Sequence, residues 1–67
     1  MKQFGEKVKK ELKTQGKMQK DLCEYLGVKK STMSQWLNDV NEPSMQIVVK
    51  IAKYLKVSTD YLLGLED

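Results

Sequence analysis

The sequence predicts an all-α fold, a compact bundle of four or five short helices. Apolar residues recur at intervals of three and four residues in successive segments, which is the spacing of one helix face. Glycine, proline, asparagine or aspartate separates these segments and indicates turns. No segment alternates polar and apolar residues for long enough to form a strand. At 67 residues, the chain is predicted to form one domain over residues 1–67.

The first two helices are indicated by apolar spacing and by a glycine after each. Phe4, Val8 and Leu12 lie four residues apart and give the first helix its apolar face. That helix is expected to stop at Gly16, and the second helix at Gly27. The inward residues of the second helix are predicted to be Leu22, Cys23, Tyr25 and Leu26.

A third helix is predicted at about residues 30–38, directly after the Gly27 turn. It is expected to bury Met33, Trp36 and Leu37. Residues 39–43 hold aspartate, asparagine and proline, so they are predicted to form a loop.

Two further helices complete the predicted bundle. The fourth begins near Ser44, and its inward residues are predicted to be Ile47, Val48, Ile51, Ala52 and Leu55. The fifth is short, covers residues 59–63 and ends at Gly64. Ser58 precedes it and is a favourable N-cap residue.

Charge is distributed unevenly along the chain. The net charge is +3, and every cation is lysine, since the chain has neither arginine nor histidine. Residues 1–30 carry a net charge of +5, whereas residues 31–67 carry −2. A basic half is the electrostatic footprint of a polyanion-binding protein, and a solvated lysine-rich face is the alternative. On the first helix, Lys7, Lys9, Lys10 and Lys13 are interpreted as a solubilising face.

Several classes of protein are excluded at this stage. No apolar run approaches the ~20 residues of a membrane span and no signal-peptide pattern is present, so a cytoplasmic location without a membrane partner is predicted. Cys23 is the single cysteine and has no histidine partner. The chain also lacks a glycine-rich phosphate loop and metal-ligand spacing. It is therefore predicted not to be an enzyme, to need no cofactor and to act on no small-molecule substrate.

Residues 19–38 form a twenty-residue unit with a recognisable order. Apolar residues stand at its fourth, eighth, fifteenth and eighteenth positions, a small residue at the fifth and a glycine at the ninth. These are Leu22, Leu26, Met33, Trp36, Cys23 and Gly27. The unit resembles the helix-turn-helix of the Cro/lambda-repressor-like family, the XRE type. Residues 43–55 and 57–64 also resemble the fourth helix and the closing segment of that family.

The resemblance implies a nucleic-acid interface. In this family the second helix of the motif lies in the major groove of DNA. The positions that contact bases are then Lys30, Ser31, Gln35, Thr32 and Ser34. The positions that contact phosphates are Gln19, Lys29 and Asn38. Glutamine can pair with adenine N6 and N7, and lysine can donate to guanine O6 and N7. A merely solvated polar helix face is the alternative interpretation.

Five positions depart from what the family usually holds. Leu12 and Leu37 stand where many relatives carry a paired Arg and Glu, and they are expected to touch, since a packed apolar pair can replace a buried ion pair. Met18 and Lys29 stand where Ser or Thr usually caps the two motif helices. Lys56 stands where a glycine is common, so it is expected to adopt a positive φ.

The resemblance implies sequence-specific binding of double-stranded DNA by a transcriptional regulator. A repressor is expected, bound to an inverted repeat as a homodimer with half-sites ~34 Å apart, in a bacterial nucleoid or a phage-infected host. The residues expected to stay exposed for the partner subunit are Val40, Val57, Tyr61 and Leu65. The alternative is a protein-interaction module on the same fold, antitoxin-like or a scaffold, which the acidic loop at 39–42 favours. The end of the sequence fits both a small intact regulator and a fragment of a longer one.

Overall fold

The computed structural model describes residues 3–65 and contains five helices within them. They are α1 (Phe4–Thr14), α2 (Gln19–Leu26), α3 (Lys30–Leu37), α4 (Met45–Leu55) and α5 (Thr59–Leu62). Helix α1 packs against α3 and α5, α4 packs against α2 and α5, and α2 contacts α3. The predicted all-α bundle is confirmed, and α3 and α5 each end one residue earlier than predicted. None of the helices described has the length and hydropathy of a membrane span.

The core is formed by apolar side chains from all five helices. The buried apolar residues are Phe4, Val8, Leu12, Leu22, Cys23, Met33, Leu37, Val48, Ile51, Ala52, Leu55 and Leu62. Within residues 3–65 no polar or charged side chain is buried. Burial of apolar surface therefore holds the helices together, at roughly 25 cal/mol for each Å² removed from water.

Four residues that were predicted to point inward lie at the edge of this core. Tyr25 is 52% exposed, because Leu22 takes the core position of α2 while the Tyr25 ring rests 4.9 Å from the ring of Tyr54. Such a position keeps the phenol hydroxyl in water while one ring face is covered. Leu26, Trp36 and Ile47 are half-buried and pack against the core.

Two of the four apolar residues that were expected to stay exposed are covered instead. Val40 and Leu65 are 68% and 72% exposed, as predicted. Val57 and Tyr61 are half-buried and pack against the core. The Tyr61 hydroxyl donates to Glu11 Oε2 over 3.3 Å, so this tyrosine joins α5 to α1 within one chain.

Leu12 and Leu37, which stand where many relatives carry a paired Arg and Glu, fit the packing of α1 on α3. Leu12 and Leu37 are each only 3% exposed and belong to the same buried cluster. A direct contact between the two side chains stays a prediction.

Gly5 lies at a close approach between two helices that sequence reasoning had not identified. It is buried in α1, and a Cβ atom built on it would overlap the backbone carbonyl of Leu37, at the end of α3. Only glycine fits where the two backbones come this close. This contact fixes the distance between α1 and the C-terminal end of α3.

All five helices end in the same way, with a residue in the left-handed region. After α2, Gly27 has φ 70°, its N–H donates to Glu24 O over 3.2 Å, and Val28 N–H donates to Cys23 O over 3.1 Å. This is a Schellman motif, which satisfies carbonyls at the helix end. The left-handed residues at these helix ends are Gly16, Gly27, Asp39, Lys56 and Gly64. The positive φ predicted for Lys56 is thus confirmed, at 58°.

We expect Lys56→Gly to stabilise the domain. Glycine removes the steric cost of a Cβ atom in the left-handed region, and the net gain in the free energy of unfolding should be roughly 0.5–1 kcal/mol. Urea denaturation followed by circular dichroism measures it. Lys53→Gly, at an exposed position inside α4, is the matched control and should instead cost about 1 kcal/mol. A loss of stability in Lys56→Gly would contradict the strain inferred at this helix end.

The helix starts are capped unevenly, as the sequence predicted. Ser44 Oγ accepts from Ile47 N–H over 3.3 Å, and Ser58 Oγ accepts from Tyr61 N–H over 3.0 Å. Helices α2 and α3 follow Met18 and Lys29, and neither helix has a side-chain cap. Helix α1, after Gln3, also lacks a side-chain cap. In the two helices of the predicted motif, the first-turn N–H groups are therefore left to water or to a ligand.

The segment between α1 and α2 is fastened to the end of α4. Gln15 Nε2 donates to Leu55 O over 2.7 Å, and Lys17 Nζ donates to Tyr54 O over 2.9 Å. Lys17 Nζ also lies 4.6 Å from the centre of the Tyr54 ring. A cation is favourable at a helix C-terminus, where carbonyls lack partners. These contacts set the position of the N-terminus of α2.

Candidate nucleic-acid interface

A three-residue turn joins α2 to α3 and sets the angle between them. Gly27 is left-handed, and Lys29 is extended with ψ 155° before α3 begins. Met33 and Leu37 hold the inner face of α3 against the core, at 1% and 3% exposure. The opposite face of α3 is consequently turned outward.

The five residues that were predicted to contact bases lie together on α3. Lys30, Ser31, Ser34 and Gln35 are exposed, and Thr32 is half-buried. The four-residue spacing places Lys30 next to Ser34, and Ser31 next to Gln35, on the helix surface. The outer face of α3 thus presents two short rows of hydrogen-bonding side chains.

Asn38 follows α3 directly, and its side chain is already engaged. Its Nδ2 atom donates to Ser34 O over 2.9 Å and to Ser34 Oγ over 3.2 Å. Lys9 Nζ, from α1, donates to Asn38 Oδ1 over 3.2 Å. Asn38, predicted as a phosphate contact, is exposed and also joins α3 to α1.

Gln35 has a partner that sequence reasoning missed. Asn41 Nδ2, from the loop after α3, donates to Gln35 Oε1 over 2.7 Å. Nothing in the spacing of the sequence predicts this bond, because it depends on how the chain turns back after α3.

A groove of about 590 Å³ lies where α1, α2 and α3 meet. We call it the lysine groove; it is lined by Lys9, Leu12, Lys13, Lys17, Met18, Gln19, Lys20, Cys23, Lys30 and Ser34. Five of these residues are lysines and none is acidic. Gln19, predicted as a phosphate contact, therefore lies beside Lys30 and Ser34 of the α3 face. Lys29 is exposed but does not line the groove.

Lys9 and Lys13 are exposed, as a solubilising face requires, and they also line the lysine groove. Both were interpreted as part of a solubilising face, and both line the groove together with Lys30. Their spacing of four residues, on the side of α1 next to Leu12, is the signal that could have indicated it.

Comparison with known proteins identifies the family. A family model described as "Helix-turn-helix" matches residues 8–62. Over 64 residues the chain is 30% identical to the HTH-type transcriptional regulator ImmR of Bacillus subtilis (strain 168), which covers 96% of this chain and 50% of ImmR. Over 60 residues it is 32% identical to YonR of the same strain, an SPbeta prophage-derived uncharacterized HTH-type transcriptional regulator, covering 90% of this chain and 56% of YonR.

The chain spans about half the length of these two relatives. No solved structure matches the chain at a significant level. The family model covers most of the chain, and the twenty-residue unit at 19–38 coincides with α2, the turn and α3. The chain therefore belongs to the helix-turn-helix family, of the XRE or Cro/lambda-repressor-like type.

Proposed function

We propose that this domain binds double-stranded DNA sequence-specifically and acts in transcriptional regulation, with α3 in the major groove. The observation that carries the proposal is the surface of α3, where Met33 and Leu37 face the core and hydrogen-bonding side chains are presented to solvent. Lys30, Ser31, Ser34 and Gln35 are exposed, and Thr32 is half-buried. An α-helix with its side chains is about 10–12 Å across, and the major groove is about 12 Å wide.

Base reading is assigned to the two rows of side chains on α3. Gln35 matches the donor and acceptor that adenine presents at N7 and N6. Lys30 can donate to guanine O6 and N7, and Ser31 and Ser34 can pair with either kind of base edge. The methyl group of Thr32 can contact a thymine methyl.

The DNA backbone is assigned to the lysine groove and to the starts of the two motif helices. Gln19 and Lys29 flank helix N-termini that have no side-chain cap, where N–H groups favour a phosphate. Lys9, Lys13 and Lys20 extend this positive surface without an intervening acid. Binding through such lysines releases counterions and depends steeply on salt.

The regulator is proposed to be a repressor that binds an inverted repeat as a homodimer. The described part of the domain measures 28 × 25 × 18 Å. Two such domains side by side suit half-sites separated by one helical turn of DNA, about 34 Å. Exposed Val40 and Leu65 are available for a contact between subunits.

Lysine substitutions test the backbone assignment. We expect Lys13→Ala and Lys29→Ala each to weaken binding to all duplexes about equally and to flatten the slope of log K against log salt by about 0.9. Fluorescence anisotropy with a labelled duplex, titrated at several salt concentrations, measures the slope. Lys50→Ala is the matched control, since Lys50 lies with Met45 and Val49 on the outer side of α4. The absence of any duplex binding at low salt would contradict the proposed function.

A protein-interaction module, antitoxin-like or a scaffold, is the second candidate. It is favoured by the acidic loop after α3 and by exposed Val40 and Met45, at 68% and 54% exposure. Recovery of a protein partner together with a failure to bind any duplex would support this candidate.

A further inference from the structure

The side-chain amide of Gln35 is held by the loop that follows α3. Asn41 Nδ2 donates to Gln35 Oε1 over 2.7 Å, and both residues are exposed on the outer side of the domain. The bond therefore lies on the side of α3 that also carries Ser31, one helical turn before Gln35.

The backbone brings Asn41 to this place. Asp39 adopts the left-handed conformation with φ 58°, so the chain turns back at the end of α3. The N–H groups of Val40 and Asn41 then donate to Gln35 O over 2.9 and 3.4 Å. The main chain of Asn41 is thus bonded to Gln35, the residue whose side chain Asn41 also contacts. These backbone bonds keep the two side chains close together.

We propose that Asn41 is a positioning residue that determines which base Gln35 reads, an inference that rests on the proposed DNA binding. An amide oxygen has two lone pairs, so Gln35 Oε1 can accept from Asn41 and from one base donor together. The bond restricts the rotation of the Gln35 side chain and so lowers the entropic cost of making two hydrogen bonds to one base. The acceptor and the donor of the amide match adenine N6 and N7.

The same bond discriminates against guanine. Guanine presents two acceptors, O6 and N7, in the major groove. Gln35 can offer guanine only its Nε2 group, whereas adenine pairs with both ends of the amide, so restricting the side chain strengthens the two-bond pairing with adenine more than a contact with guanine. Asn41 thus favours adenine without touching a base itself.

Two substitutions separate this role from general folding. Asn41→Ala removes the side-chain donor and leaves the backbone bonds of the loop in place. Asn41→Asp puts an acceptor where the donor was, so the Gln35 amide has to turn its Nε2 group toward residue 41. The added charge lowers affinity for every duplex alike, and the ratio of affinities for adenine and guanine is therefore the quantity to measure.

The experiment uses the duplex that the unmodified protein selects from a random pool. The base pair under Gln35 is the one whose preference is lost in Gln35→Ala. At this pair we expect Asn41→Ala to lower the adenine-to-guanine affinity ratio by about threefold to tenfold, and Asn41→Asp to lower it further. Lys50→Ala, on the outer side of α4, should leave the ratio unchanged. Asn41→Ala should have no effect on the ratio when Gln35→Ala is already present.

Two results would overturn the inference. One is an unchanged ratio in Asn41→Ala, and the other is an equal effect of Asn41→Ala with and without Gln35. If the unmodified protein selects no duplex, the proposed function fails. The positioning role of Asn41 is then tested without DNA, by NMR measurement of the order of the Gln35 side-chain amide. An amide as ordered in Asn41→Ala as in the unmodified protein would then refute the positioning role.

Discussion

Gly5→Ala is expected to lower the free energy of unfolding by about 3 kcal/mol or more, the upper end of the cost of overpacking. The added methyl group would overlap the backbone carbonyl of Leu37, and no side-chain rotation can relieve a clash with a backbone. The sign of the change in the free energy of unfolding is diagnostic, because alanine inside a helix is otherwise more stabilising than glycine by about 1 kcal/mol. A domain of this size has only about 3–10 kcal/mol of stability, so the variant should be largely destabilised. Urea denaturation followed by circular dichroism measures the loss.

Lys10→Ala is the matched control for this substitution. Lys10 lies on the same helix and is exposed, so its replacement should change stability by no more than about 0.5 kcal/mol. A loss below about 1 kcal/mol in Gly5→Ala would show that α1 and α3 do not approach as closely as described.

Gln35→Ala is expected to lose about 1–3 kcal/mol of binding free energy on the selected duplex and to relax the preference at one base pair. Lys30→Ala should behave in the same way at a different base pair. The reason is that each side chain presents donors or acceptors to a base edge, and these contacts distinguish sequences. Anisotropy titrations against the selected duplex and its single-pair variants measure both quantities.

The control again uses a lysine far from α3. Lys50→Ala should leave the base preference intact, since Lys50 lies on the outer side of α4. If Gln35→Ala changed neither affinity nor preference, the proposed docking of α3 would be wrong.

The helices and most of the core could be predicted because local spacing determines them. Leu22, Met33 and Ile51 were predicted to be buried, and they are 0–1% exposed. The positive φ of Lys56 was also predicted, because Lys56 stands where the family commonly has a glycine. Tyr25 was misplaced because periodicity marks a face of a helix and does not say how far the neighbouring helix covers it.

The details of the site that were missed all depend on tertiary structure. The constraint on Gly5 arises only where α1 meets the end of α3. The lysine groove requires α1 to lie beside the start of α2, so charges that are distant in sequence line one surface. The bond from Asn41 to Gln35 requires the left-handed turn at Asp39. The sequence was sufficient to predict which side chains α3 presents. The structure was needed to identify the contacts from α1 and from the loop after α3 that position them.

The most direct test of the account is a selection of duplexes from a random pool by the purified protein, at about 150 mM salt. We expect enrichment of an inverted repeat whose half-sites lie about one helical turn apart, and loss of that enrichment in Gln35→Ala. The contradicting result is a pool that stays random while the protein remains folded. The outer face of α3 would then be assigned to a protein partner.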